Sequence, residues 1–191
     1  MATYGATRAD RPLSVDEYER LTGEGEDRLE LDAGRLVREP PPGAQHGWIQ
    51  ARLASRLNAH VEARRLGLVL VETGVVLAND PATVRGPDIS FSRADRLEWD
   101  APPEGFLRIP PDLVIEVISP SETADQIYQK IVQYLEACVR VVWVVHPRSR
   151  TVMEYRSREV IRLLQQDDEL RAPDILPEFA CPLTELFAPL R

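Results

Sequence analysis

The feature that most constrains the fold is the stretch from Pro111 to Pro120, which reads PDLVIEVISP. Two prolines bracket a short run of leucine, isoleucine and valine, and such a run predicts a strand buried on both faces of a sheet. One carboxylate, Glu116, lies inside the run. Burying a charge without a partner costs several kcal/mol. Glu116 therefore needs a cation, a proton or an opposite charge.

The residues after this strand predict a βαβ unit. Residues 122–137 carry an apolar stripe at helical spacing, and residues 139–145 form a second strongly apolar strand. A crossover helix between two such strands places them parallel, with a right-handed connection.

The rest of the chain predicts two more helices and several antiparallel strands. Residues 14–21 begin with a capping box, residues 28–38 alternate around Ala33-Gly34 as a β-hairpin does, and residues 45–66 have helical spacing closed by Gly67. Other predicted strands are 68–71, 75–77, 86–91, 151–156 and 160–164, before a proline-rich tail with one helical turn near 183–186. We expect an α/β (α+β) fold with a mixed central sheet between two long helices, an N-terminal hairpin and a C-terminal meander.

Length and composition favour a single globular domain. The chain has 191 residues, and we expect residues 1–12 to be a disordered leader and residues 13–191 to form one domain. No apolar segment approaches the ~18 residues that cross a bilayer, so no membrane association is expected. Two cysteines are too few for a disulfide framework, which fits a reducing cytoplasm.

Charge sets a further bound on partners. The net charge of −8 argues against a broad basic surface for nucleic acid. It leaves room for a local basic groove, or for an enzyme that meets phosphate through bound Mg²⁺.

Lysine usage singles out one position. Among 23 lysine and arginine residues, Lys130 is the only lysine. The chain uses arginine wherever a generic positive charge suffices, so the lone lysine indicates that position 130 favours a compact ammonium over a planar guanidinium. The alternative is chance on a solvated helix face.

Spacing limits which acids can share a metal ion. Asp112 and Glu116 point to the same face of the predicted strand, but four residues separate them by about 13 Å, too far for one ion. A second ligand must come from another strand, and Asp88, which opens a strand after Pro87, is the best candidate. Two carboxylates and a nearby lysine are what metal-dependent phosphodiester hydrolysis needs.

Several motifs together resemble the Uma family of putative restriction endonucleases, a bacterial branch of the PD-(D/E)XK nuclease superfamily. The resemblance spans about residues 13–187. The motifs that carry it are, in order, Arg28-Leu29-Glu30-Leu31-Asp32 with Gly34, Pro41-Pro42-Gly43 with His46, Pro87-Asp88, Pro111 to Pro120, Lys130 to Ala137, Val141 to Val145 and Leu183 to Phe187.

The resemblance implies a restriction-endonuclease-like core and a Mg²⁺ (or Mn²⁺) site. Asp88 and Glu116 would be the metal carboxylates, the main-chain carbonyl of Val117 a further ligand, and Glu30 an acid from the N-terminal element. The superfamily signature places its lysine two residues after the glutamate, where this chain has Ile118.

The family resemblance and the lone-lysine count both point to Lys130 as the replacement for that missing lysine. The implied partner is double-stranded DNA, cut by a homodimer, because nuclease domains of this kind often pair two sites.

Each candidate also has a structural interpretation. Glu116 could pair with an arginine, Asp88 could cap a turn, and Glu30 could be a solvated residue of the hairpin. His46 could be a surface or capping residue rather than a group that faces phosphate, handles a proton or supports the metal ligands. Asp112 could cap its strand or bond loop amides, with support of the metal ligands as the alternative. The chain as a whole could be a nuclease-fold protein that binds nucleic acid or protein without cutting.

Overall fold

A computed structural model describes residues 11–22, 28–97 and 102–188. The expected leader therefore lies outside the described residues, apart from Arg11 and Pro12. The elements in chain order are α1 (Val15–Thr22), β1 (Leu29–Asp32), β2 (Arg35–Arg38), α2 (Ala44–Arg64), β3 (Gly67–Val71), β4 (Val75–Asn79), β5 (Ala82–Arg85), β6 (Ile89–Arg93), β7 (Leu113–Val117), α3 (Ala124–Glu136), β8 (Val141–His146), β9 (Thr151–Tyr155), β10 (Ile161–Leu164), β11 (Glu169–Ala172), β12 (Leu176–Pro182) and α4 (Leu183–Leu186).

The central sheet has six strands in the order β10-β9-β8-β7-β6-β3. β7 and β8 run parallel, and α3 connects them, which confirms the predicted βαβ unit. β6 pairs antiparallel with β7, with Ile89 opposite Ile115. The sheet is therefore mixed, and the strand that follows Asp88 is the direct neighbour of the strand that holds Glu116.

The two long helices cover opposite faces of this sheet. Leu53 and Leu57 of α2 pack in one apolar cluster with Leu113 and Ile115 of β7. Side chains alternate along a strand, so Val114 faces the other way; it lies in a second cluster with residues of α3. Burial on both faces explains why β7 is almost wholly apolar. No helix in the described ranges is long and apolar enough to cross a membrane.

A four-stranded antiparallel sheet, in the order β2-β1-β5-β4, lies beside the central one. Its β1–β2 hairpin turns at Ala33 and Gly34, whose φ angles of 47° and 78° have the signs of a type I′ turn. A Cβ on Gly34 would lie 2.3 Å from Cβ of Pro12. Only glycine fits there. The hairpin was predicted, but its partner β5 was not.

The C-terminal tail contains more structure than the sequence indicated. β11 and β12 form a two-stranded antiparallel sheet with an irregular register, and α4 confirms the helical turn near 183–186. Leu176 and Phe179 of β12 are buried in the main core. Proline at both ends of β12 masks the strand pattern, which is why periodicity alone missed it.

The predicted role of Gly67 was wrong. α2 ends at Arg64, and Arg65 takes the left-handed conformation, with φ of 53°, that closes the helix. Gly67 instead opens β3, where an added Cβ would lie 2.0 Å from the carbonyl oxygen of Ser92 on β6. The glycine permits the close approach of two strands rather than ending a helix.

Candidate functional site

Asp88 and Glu116 meet at one end of the β6–β7 pair. The register that puts Ile89 opposite Ile115 puts Asp88 opposite Glu116, one step beyond the paired residues. Oδ2 of Asp88 accepts a hydrogen bond of 2.6 Å from the backbone N–H of Val117. Asp88 is thus tied to β7 beside Glu116, and the two acids lie on neighbouring strands as the sequence predicted.

His46 and the Val117 amide share one oxygen of Asp88. Nε2 of His46, in the first turn of α2, lies 3.1 Å from Oδ2 of Asp88, and both side chains are buried. Among the described residues, Oδ1 of Asp88 receives no hydrogen bond, and Asp88 lines an open cleft. The arrangement leaves one carboxylate oxygen available to a ligand in that cleft.

Glu116 is half-buried and is held by a tyrosine. The hydroxyl of Tyr134, on α3, donates a hydrogen bond of 2.5 Å to Oε1 of Glu116. Burial raises the pKa of Glu116 to about 8; the carboxylates of Asp88 and Glu30 add to this rise, and Lys130 opposes it. In the described part of the chain no arginine forms an ion pair with Glu116, so the structural alternative for this residue has no support. Its partners among the described residues are the Tyr134 hydroxyl and the nearby charge of Lys130.

Lys130 points from α3 into the same cleft. Its Nζ lies 3.2 Å from Oε1 of Glu39, 3.5 Å from Oε2 of Glu30 and 3.7 Å from Oε1 of Glu122. Burial lowers the pKa of Lys130, but Glu116 and these carboxylates outweigh that effect and hold the pKa above its ordinary value. The ammonium therefore keeps its proton. Because the side chain is buried, Lys130 does not lie on a solvated helix face.

Glu30 is held by Arg85, a residue that the sequence did not single out. Nη1 of Arg85 lies 2.8 Å from Oε2 of Glu30, and the backbone amide of Gly86 donates a hydrogen bond of 3.0 Å to Oε1 of Glu30. Arg85 also contacts Asp32 at 3.2 Å and Gln133 at 2.8 Å. This buried guanidinium joins β1 to α3. Nothing in the sequence separated it from 21 other arginines.

Asp112 does not come to this cleft. It lies at the opposite end of β7, where Oδ2 accepts the backbone N–H of Arg93 at 3.0 Å and Oδ1 lies 3.1 Å from Nη1 of Arg96. These contacts are those of a residue that secures the loop after β6. Of the seven residues proposed from the sequence, the structure gathers six.

The cleft is open to solvent and is strongly acidic. Lining residues include the acids Glu30, Glu39, Asp88, Glu116 and Glu122, together with Lys130, His46 and Arg28. Within the described ranges no three His, Cys, Asp or Glu side chains converge as a metal-binding group. Asp88, Glu116 and Val117, the three residues expected to supply oxygen donors, all line the cleft. Oxygen donors completed by water suit Mg²⁺, so the residues fit that ion.

The fold resembles that of a protein whose crystal structure has been solved. The crystal structure of a putative nuclease belonging to DUF820 from Anabaena variabilis superposes with a TM-score of 0.81; it is 24% identical and the match covers 93% of this chain and 98% of that one. None of the curated proteins matches this chain. The two chains therefore share one fold, with the same mixed sheet between flanking helices.

Residues 15–184 match the Uma2 family, which is described as "Putative restriction endonuclease". The chain belongs to this family.

Removing Arg85 should destabilise the protein. Arg85→Met leaves the buried carboxylate of Glu30 without its closest partner, so we expect a loss of about 3 kcal/mol in the free energy of unfolding, measured by urea denaturation. Adding Glu30→Gln to that variant should recover part of the loss. As a control, Arg108→Met removes half-exposed ion pairs with Asp16 and Glu19 and should cost less than about 1 kcal/mol. Equal losses for both arginines would contradict this account of Arg85.

The raised pKa of Glu116 predicts a pH-dependent stability in metal-free buffer. Between the ordinary value of 4.5 and about 8, the folded chain keeps a proton that the unfolded chain releases. The resulting stabilisation is complete below the lower value and is lost as pH rises through the upper one. Glu116→Gln should therefore gain in melting temperature over wild type as pH rises from about 5 to about 9. The exposed Glu159→Gln variant should show no such trend. If the difference in melting temperature between Glu116→Gln and wild type stayed constant with pH, the raised pKa of Glu116 would be refuted.

Proposed function

We propose that this protein is a Mg²⁺-dependent (or Mn²⁺-dependent) endonuclease that hydrolyses phosphodiester bonds of DNA. The observation that carries the proposal is the meeting of Asp88, Glu116 and Lys130 in one cleft, from three separate elements. Asp88 and Glu116 each have one carboxylate oxygen in a hydrogen bond, and among the described residues the other oxygen has no partner. Such a set combines ligands for a divalent ion with a cation for the phosphate.

The metal ligands would be Asp88, Glu116 and the main-chain carbonyl of Val117. A divalent ion there lowers the pKa of water and neutralises charge on a phosphate. The Tyr134 hydroxyl and the Val117 amide hold the two carboxylates in place. His46 acts as a positioning residue, because its contact with Oδ2 of Asp88 directs Oδ1 towards the cleft.

Lys130 supplies the positive charge for the reaction. Because its pKa lies above the ordinary value, it keeps its proton and cannot act as a general base. Its role is to stabilise negative charge on the phosphate in the transition state. Glu30, which is itself anchored by Arg85, orients the ammonium rather than reacting with substrate.

Plasmid cleavage and calorimetry test these roles separately. With Mg²⁺ or Mn²⁺, Asp88→Asn, Glu116→Gln and Lys130→Met should each cut supercoiled DNA at least about 100-fold more slowly. Titration of Mn²⁺ should show lost uptake for the two acid variants and retained uptake for Lys130→Met. Glu159→Gln is the control that keeps both properties. The proposal is refuted if wild type cuts no DNA with either ion, or if Asp88→Asn matches it in cutting and uptake.

We also propose a homodimer, since two strands of a duplex require two sites. β10 is an edge strand of the central sheet, with no further strand beside it in the described residues. Its Ile161 and Leu163 share one face and are 47% and 50% exposed, and the preceding Val160 is 57% exposed. A single sheet edge that exposes this much apolar surface suits a copy of itself across a two-fold axis.

Light scattering tests the dimer directly. Wild type should have twice the mass of one chain, and Leu163→Arg should have the mass of a single chain because a charge opposes burial at the interface. Leu36→Arg, on the exposed hairpin, is the matched control and should remain dimeric. Single-chain mass for wild type at all concentrations would exclude the dimer.

A further inference from the structure

A second groove adjoins the catalytic cleft. It lies between the β1–β2 hairpin and the first two turns of α3. Lys130, Glu39 and Glu122 line both the groove and the cleft. A nucleic-acid strand whose phosphate lies beside Lys130 would therefore have its adjacent nucleotide at the opening of this groove.

The charges in the groove are balanced. Three carboxylates and three cationic groups line it. Asp32 contacts Arg85 at 3.2 Å, while Glu39 and Glu122 contact Lys130. A phosphate would meet as much negative as positive charge there. The groove suits a neutral polar group.

Two glutamines of α3 present hydrogen-bonding groups to such a ligand. Gln126 and Gln129 are three residues apart, on one face of the helix, and both line the groove. Oε1 of Gln126 accepts the Thr123 amide at 2.9 Å, which turns its N–H₂ outward as a donor. Nε2 of Gln129 donates to Oδ2 of Asp32 at 2.7 Å, which turns its Oε1 outward as an acceptor. The partners set both orientations, because a backbone amide only donates and a carboxylate only accepts.

We propose that this groove binds an unpaired nucleobase adjacent to the scissile phosphate. A base edge carries a donor and an acceptor side by side, which complements the outward N–H₂ of Gln126 and the outward Oε1 of Gln129. The base must leave the stack to reach the groove. The inference rests on the proposed nuclease function only for the kind of substrate, and it adds a site that reads sequence.

Binding to oligonucleotides with one abasic position tests the groove. Labelled single strands, in DNA and RNA forms, are titrated by anisotropy in Ca²⁺, with the abasic site moved along the strand. The affinity of wild type should fall about tenfold when the abasic site occupies one particular position of the strand, and should change little at the others. Gln126→Glu keeps the acceptor for Thr123, and so the capping box, but replaces the outward donor. It should lose the dependence on that position.

The control and a parallel cleavage assay separate the outcomes. Gln165→Glu makes the same charge change at an exposed site outside both cavities and should behave as wild type. Equal affinity at every abasic position, an unchanged response of Gln126→Glu, or no binding at all would overturn the base site. A positional effect without any cutting in Mg²⁺ or Mn²⁺ would support the base site and overturn the nuclease. Cutting without a positional effect would support the nuclease and overturn the base site.

Discussion

The structure depends on a carboxylate at the end of a strand that is otherwise apolar. β7 is covered by α2 on one face and by α3 on the other, so the sheet excludes water along almost its whole length. Glu116 lies where that cover ends. Burial raises its pKa, and only a proton, a cation or a metal ion relieves the cost of its charge. From α3, the Tyr134 hydroxyl donates a hydrogen bond to Glu116, and the nearby Lys130 supplies positive charge. The open cleft leaves room for a metal ion as well.

Lys130 matters because several acids share it. Glu30, Glu39 and Glu122 lie within 3.7 Å of its Nζ, and each comes from a different segment. One compact ammonium can serve three acids from different directions, whereas a planar guanidinium bonds best within its own plane. Three acids share this one ammonium, so the cleft stays acidic. A chain with a net charge of −8 would therefore need the positive charge of a divalent ion in the cleft to approach a polyanion.

Sequence reasoning succeeded where a local pattern carries the information. The apolar runs of β7 and β8, the amphipathic α2 and α3 and the hairpin at Ala33-Gly34 each follow from residues close in the chain. It failed where a long-range contact decides the outcome. β5 is four residues long and is a strand because β1 and β4 flank it, and Gly67 is needed because Ser92 of a distant strand comes close. Neither contact leaves a periodic signal.

For the site, the sequence alone determined which residue types were out of place: an acid within an apolar strand, an aspartate at the start of its neighbour and a single lysine among arginines. These are local chemical anomalies, and they required no coordinates. Tertiary structure decided the partners, namely Tyr134 for Glu116, His46 for Asp88 and Arg85 for Glu30. It also separated Asp112 from the cleft. Partner choice depends on how strands and helices pack across the chain, and hydrogen bonds formed at 3 Å cannot be inferred from spacing along it.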